Sequence, residues 1–246
     1  MALALSQGVA ATVDGKLVGT VLATLYGEHC ATINMVIVDE AMRGRGLGRR
    51  LMTAAIGLAA ERELRLVATA DGLPLYQKLG FVETGTVMQY QGVVANIAMP
   101  DDIVAANSSD FEAICALDQT AFGAGREALF DYIAKVGQFA VIREHGEVKG
   151  FAALRAFGRG EVIGPVVASS TADAQKLVSY FLAGRPGRFL RVDTTIDTGL
   201  GDWLATAGLE HVGGGVAMRR PSPAGAEASG THFQTKTFAL ASQALG

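Results

Sequence analysis

The sequence predicts a mixed α/β protein built from two copies of one domain in tandem, and three observations carry that reading. The first is a hairpin signal that occurs twice. Asp14-Gly15-Lys16-Leu17-Val18-Gly19 is matched 131 residues later by His145-Gly146-Glu147-Val148-Lys149-Gly150. The second is a shared order of elements after each hairpin: two strand-like apolar runs, then an apolar-periodic run of helical spacing. The third is size: at 246 residues, half of them hydrophobic, the chain can fill two cores of ordinary domain size.

Residues 21–25 and 32–38 read as strands after the first hairpin, and Leu47, Leu51, Ala54, Ala55 and Leu58 recur at helical spacing. Residues 65–68 read as a strand. Pro74 suits the first turn of a short helix and Gly80 suits its stop. The second copy opens with a strand over 97–105, a helix after Ser108-Ser109 carrying Phe111, Ile114, Cys115 and Leu117, and a helix over 126–136. Its hairpin leads to strands over 151–157 and 161–167 and to a further helix. Trp203-Leu204-Ala205-Thr206-Ala207-Gly208-Leu209 then mirrors residues 75–81. The expected organisation is therefore a first domain at 1–95, a second at 96–220, and a linker and docking segment at 221–246. Residues 219–230 read as a linker, and residues 233–245 are apolar enough to dock, with a packed helix the expected form. Carrying the opening strand and helices of the second copy back by 131 places them mostly before residue 1. Residues 1–7 are then expected to be the tail of a helix in a first copy that lacks them.

Composition narrows the function classes. A net charge of −3 argues against general nucleic-acid binding. No apolar run is as long as a membrane span, and no charged segment precedes an apolar one at the start, so no membrane and no leader are expected. Cys30 and Cys115 stand far apart without metal-ligand spacing. They read as reduced thiols of a cytoplasmic protein, with no metal expected.

The chemistry concentrates in Arg43-Gly44-Arg45-Gly46-Leu47-Gly48, between a strand ending in Val36-Ile37-Val38 and a helix. A glycine-rich turn from strand to helix leaves the first N–H groups of the helix free at the positive end of its dipole, which suits phosphate. Arg43, Arg45 and Arg49 add charge. Two nucleotide loops fail on spacing. The dinucleotide pattern needs a third glycine at 49 or 51, where Arg49 and Leu51 stand, and no Gly-Lys-Ser/Thr comes after the turn.

What remains is R-x-x-G-x-G after a strand. With Tyr76-Gln77-Lys78-Leu79-Gly80-Phe81 about thirty residues downstream, the chain resembles the GNAT N-acetyltransferase superfamily. The resemblance implies an α+β fold: in each copy a mostly antiparallel central sheet flanked by helices, with the strand and helices absent from the start of the first copy being those that wall the acceptor site. It implies acetyl-coenzyme A as cosubstrate, its pyrophosphate on Arg43, Gly44, Arg45, Gly46, Leu47, Gly48 and Arg49, and its pantetheine arm along Val36, Ile37 and Val38. A backbone N–H near Val36 would polarise the acetyl carbonyl. Tyr76 would protonate the departing thiolate.

The second copy departs from that pattern. At its helix start it has Ser169, Ser170 or Thr171 as a side-chain cap and Asp173 in the first turn, where a carboxylate repels phosphate. Leu204 stands for Tyr76. The second copy is expected to bind no coenzyme A. The general base is not legible. Thr32 and Asn34 precede Val36 and neither is a base, although Asn34 could hold a water that relays the proton. Glu28 and His29 lie in the preceding loop, Asp39 and Glu40 flank the turn, and His145 and His211 read as structural. The leading expectation is an N-acetyltransferase for a small-molecule amine or amino acid. A protein N-acetyltransferase and a non-catalytic acyl-coenzyme A sensor or scaffold are the alternatives. A homodimer stays open.

Overall fold

The computed structural model describes residues 1–222 and 235–246. In chain order the elements are α1 (Ala2–Leu5), β1 (Gln7–Val13), β2 (Lys16–Tyr26), β3 (Cys30–Val38), α2 (Leu47–Ala59), β4 (Glu63–Ala68), α3 (Leu73–Lys78) and β5 (Val82–Val93). Next come β6 (Ile103–Ala105), α4 (Phe111–Phe122), α5 (Glu127–Val136), β7 (Gly137–Glu144), β8 (Glu147–Phe157) and β9 (Gly160–Ala168). The last are α6 (Thr171–Ala183), β10 (Phe189–Thr195), α7 (Gly201–Thr206), β11 (Glu210–Arg220) and β12 (Lys236–Ala239). Among the described residues no helix is long and apolar enough to cross a membrane.

The chain forms two compact units, neither of them continuous in sequence. Among the described residues the first holds 1–84, 215–222 and 244–246, and the second holds 85–214 and 235–243. The first unit's sheet runs β1-β2-β3-β4 and closes with residues 216–220 of β11, antiparallel to β4. The second unit's sheet runs from residues 87–93 of β5 through β10, β12, β9, β8 and β7 to β6. A simple division near residue 95 thus differs from the structure in two strands. Each unit completes its sheet with a strand from the other half of the sequence, because β5 and β11 each run past the point where one core ends.

The two hairpins fold alike. β1–β2 turn at Asp14-Gly15 and β7–β8 at His145-Gly146, each pair with positive φ. Asp and Gly tolerate that conformation at little cost. The first core gathers Val21, Ala23, Ala31 and Ile33 of the sheet against Leu51, Met52 and Ala55 of α2, with Tyr76 and Phe81 beside them. The second unit has a core on each face. Leu177, Val178 and Phe181 of α6 pack on one side, and Ile114 of α4 and Phe130 of α5 pack on Phe151 and Val167 on the other.

Three sequence expectations need correction. The strand expected over 97–105 is confined to Ile103–Ala105. The linker expected at 219–230 is a strand up to Arg220, and its residues 223–230 lie outside the described residues. Where a packed helix is expected at 233–245, residues 236–239 form the strand β12 and residues 240–245 are neither helix nor strand, with Phe233 outside the described residues. Apolar content is shared by helix and strand, and here tertiary pairing decides: Lys236, Thr237 and Ala239 pair with Ala168, Val167 and Val166 of β9. Phe238 and Ala239 are buried in the second core.

Candidate active site

The first unit contains a wedge between parallel strands. β3 and β4 pair at Cys30, Ala31 and Thr32, and the register stops there although β3 continues to Val38 and β4 to Ala68. A bulge lies just past the opening. Leu22 pairs with Asn34 and Thr20 with Ile37, so Val21 faces both Met35 and Val36. Met35 takes a positive φ of 51°, and the Thr20 hydroxyl donates to its carbonyl at 2.9 Å. A bulge of this kind bends its strand and re-aims the backbone beyond it.

The turn after β3 is open. Gly44 and Gly46 both have positive φ, and a Cβ built on either would meet nothing within 4 Å. Gly46 is the N-cap of α2 and no side chain caps that end. The first N–H groups of a thirteen-residue helix therefore face outward with the dipole behind them. Arg43 stands 3.9 Å from Glu40, an exposed pair that constrains it little. Asp39 accepts from the Ala41 N–H and caps a short 3₁₀ turn.

Tyr76 lies across the wedge on α3. Its ring packs edge-on to Phe81 at 6.1 Å between centroids, and a Cβ on Gly72 would come within 2.8 Å of that ring. Glycine at 72 thus lets the ring lie flat on the start of the helix. Burial pushes the phenol above its ordinary value, so it stays protonated at neutral pH. Among the described residues no group hydrogen-bonds its hydroxyl.

One cavity of about 840 Å³ joins these parts. It is lined by Val36, Ile37, Val38, Arg43, Gly44, Gly46, Leu47, Gly48, Arg49 and Tyr76. Of the residues singled out in the sequence, Arg45 and Asn34 do not line it. Arg45 is exposed on the turn. Asn34 is buried on β3, where its amide donates to Thr24 Oγ1 at 3.3 Å and to the Ala244 carbonyl at 3.0 Å. Sequence reasoning missed Thr69, Asp71, Gly72 and Lys78, which also line the cavity. Only their closeness to Tyr76 in sequence could have pointed to them.

The second unit supplies an internal comparison. Thr20 pairs with Ile37, and Phe151, 131 residues on, pairs with Val167, so Val166–Ala168 stand where Val36–Val38 stand in the first copy. Here too the parallel pairing stops early, at Ile163 with Val192. The wedge beyond it holds a strand of the chain itself. β12 pairs with Val166, Val167 and Ala168 on one side and with Thr194 on the other. The Leu240 N–H donates to the Asp193 carbonyl at 2.8 Å. The start of α6 is closed as well: Ser170 Oγ accepts from the Asp173 N–H, and the Asp173 carboxylate accepts from the Ser170 and Ser169 hydroxyls.

Models of the GNAT acetyltransferase family match each copy, one as the GNAT acetyltransferase family at residues 4–81 and one as a GNAT acetyltransferase domain at residues 114–234. The chain belongs to the GNAT acetyltransferase family. It is a tandem GNAT protein whose second copy is degenerate, with an acidic cap at α6 and a strand in its wedge. Among curated relatives, an uncharacterised N-acetyltransferase, YitH of Bacillus subtilis (strain 168), is 29% identical over 80% of this chain and 71% of its own length. The holothin acyltransferase of a Pseudoalteromonas species (strain SANK 73390) is 27% identical over 81% of this chain and 70% of its own. The crystal structure of a putative acetyltransferase from Pyrococcus horikoshii has the same fold. Its TM-score is 0.75 at 21% identity, over 97% of this chain and 80% of that one. GNAT acetyltransferases use acetyl-coenzyme A, and the first unit has what such a ligand requires: an open strand edge, an uncapped helix start and a cavity joining the two.

Proposed function

We propose that this protein transfers the acetyl group of acetyl-coenzyme A to a primary amine of a small molecule or amino acid by direct attack, with Tyr76 as the general acid. The observation that carries the reading is the Tyr76 hydroxyl. It is protonated and without a hydrogen-bond partner among the described residues, and it lines the same cavity as the open turn of α2. The hydroxyl is not among the buried polar atoms that lack a partner, so it opens to the cavity, where it can meet a bound thioester.

In this reading the N–H groups of residues 43–49 hold the pyrophosphate, and Arg43 and Arg49 neutralise it. The backbone edge of Val36, Ile37 and Val38 pairs with the pantetheine arm, as Val166, Val167 and Ala168 pair with β12 in the other copy. A backbone N–H near Val36 donates to the acetyl oxygen as it gains charge, worth roughly 3 kcal/mol per donor. The amine lone pair forms the C–N bond, the C–S bond breaks, and Tyr76 gives its proton to the thiolate. The attacking amine releases its proton to water in the cavity, and water returns a proton to the phenolate. A phenol and a thiolate of comparable pKa exchange a proton readily.

The test is release of free coenzyme A thiol from acetyl-coenzyme A with benzylamine, spermidine, lysine and glucosamine as acceptors, beside calorimetry of acetyl-coenzyme A binding. Thiol release with at least one amine supports acetyl transfer. Binding with no thiol release from any amine points to a sensor, and the absence of binding overturns both.

A further inference from the structure

The cavity of the first unit holds more positive charge than a pyrophosphate uses. Arg43, Arg49 and Lys78 line it against a single carboxylate, Asp71. Arg43 and Arg49, beside the α2 turn, match the two phosphates of a pyrophosphate one for one. Lys78 is left over. It is exposed and makes no hydrogen bond or ion pair among the described residues. Glu83, the carboxylate nearest to it in sequence, is already engaged: the Gln77 amide donates to its Oε1 at 3.0 Å.

The helix α3 sets Lys78 apart from the reacting end. A Cβ built on Gly48 would come within 3.3 Å of Leu75 Cδ2, so α3 lies against the start of α2. Pro74 and Leu75 are four and three residues before Lys78 and share its face of the helix, which places Lys78 along the same groove one turn further on. Tyr76 points elsewhere. Its hydroxyl reaches back to the N-terminal end of α3, 3.3 Å from where a Cβ on Gly72 would lie. Gly72 and Lys78 are separated by about 9 Å of helical rise. The second copy has lost the cation along with the rest of the site. Residues 203–209 repeat residues 75–81, so Leu204 stands for Tyr76 and Thr206 for Lys78. The Thr206 hydroxyl donates to the Trp203 carbonyl at 2.7 Å. The cation is thus present in the copy with the open cradle and absent from the copy whose cradle is closed.

We propose that Lys78 binds the 3′-phosphate on the ribose of coenzyme A, and that this contact selects the phosphorylated cosubstrate over its 3′-dephospho form. The inference rests on the acetyl-coenzyme A reading above. With the thioester at Tyr76 and the pyrophosphate on Arg43 and Arg49, the 3′-phosphate is the one charged group of the ligand still without a cation. Lys78 is the one cation of the cavity that this arrangement leaves without an anion. A compact ammonium on a flexible stem suits a phosphate at an exposed site. Solvent screens such a pair, so it adjusts specificity by a modest factor and does not carry the whole affinity.

Calorimetry with coenzyme A and with 3′-dephospho-coenzyme A, at one fixed ionic strength, tests this on the full chain and on Lys78→Met. The parent should bind coenzyme A at least threefold more tightly than the dephospho form, and Lys78→Met should lower that ratio to less than half the parent's. Lys78→Arg, which keeps the charge, should hold the ratio above half. Lys78 is exposed, so none of these changes should shift the melting temperature, and the ratio is a readout that a loss of folding would not move. A parent ratio below threefold, or a Lys78→Met ratio of half the parent's or more, overturns the assignment and leaves the acetyl-transfer reading standing. A parent that binds neither ligand overturns that reading, and the Lys78 contact with it.

Discussion

Replacing Tyr76 by Phe removes one oxygen and little else. The ring keeps its contact with Phe81 and its place over Gly72. The hydroxyl has no partner among the described residues, so its loss strands no donor or acceptor there. The change in folding stability is expected within about 0.5 kcal/mol, the range of substitutions that create neither a cavity nor an orphaned polar group. The effect on chemistry is different in kind. A positioned general acid contributes about 10²–10⁴ in rate, or about 3–5 kcal/mol. Water can enter an open cavity and replace part of this, so a fall in kcat of at least tenfold is the expected minimum. Because burial raises the phenol, kcat should hold on the alkaline side until the pH passes about 10, the ordinary phenol value. The assay is thiol release at saturating acetyl-coenzyme A and amine, with calorimetry for cosubstrate affinity. An unchanged kcat in the Phe variant, with unchanged Kd and melting temperature, would refute Tyr76 as the acid.

Further predictions concern the cradle and the second unit. Gly46→Asp places a carboxylate at the start of α2, much as Asp173 lies at the start of α6, and should weaken acetyl-coenzyme A binding at least tenfold by calorimetry. Asp118→Ala leaves the Arg126 guanidinium without its carboxylate in a buried pair at 2.7 Å, and should cost about 3–5 kcal/mol in denaturant unfolding. The Asp110 carboxyl accepts from the Asn107 N–H and pairs with Arg143, which hold it below its ordinary value. Its contribution is therefore present above about pH 4 and lost as the pH falls through its folded value. The gap in melting temperature between the parent and Asp110→Asn should accordingly be widest near neutral pH and shrink toward pH 3.

Local features read well from the sequence because their causes are local. The Asp14-Gly15 and His145-Gly146 turns, the glycine punctuation of the α2 turn and the Ser170 cap each arise from a few residues whose backbone preferences leave few options. The cavity comes from joining such pieces, since the strand end, the turn and Tyr76 are fixed relative to one another by a single unit. Non-local pairings did not read well. Residues 236–239 carry an apolar pattern that fits helix or strand, and only the gap between β9 and β10 selects the strand. The exchange of β5 and β11 between units has no signature shorter than the strands themselves. The role of Asn34 could not be read for the same reason: its partner Ala244 is 210 residues away.

The central claim is that one chain carries one acyl-coenzyme A cradle, in the first unit, because β12 and Asp173 close its counterpart. Titration calorimetry of the full chain with acetyl-coenzyme A tests it most directly. A single site per chain, abolished by Gly46→Asp, is the predicted result. Two sites per chain, or one site untouched by that substitution, would contradict it.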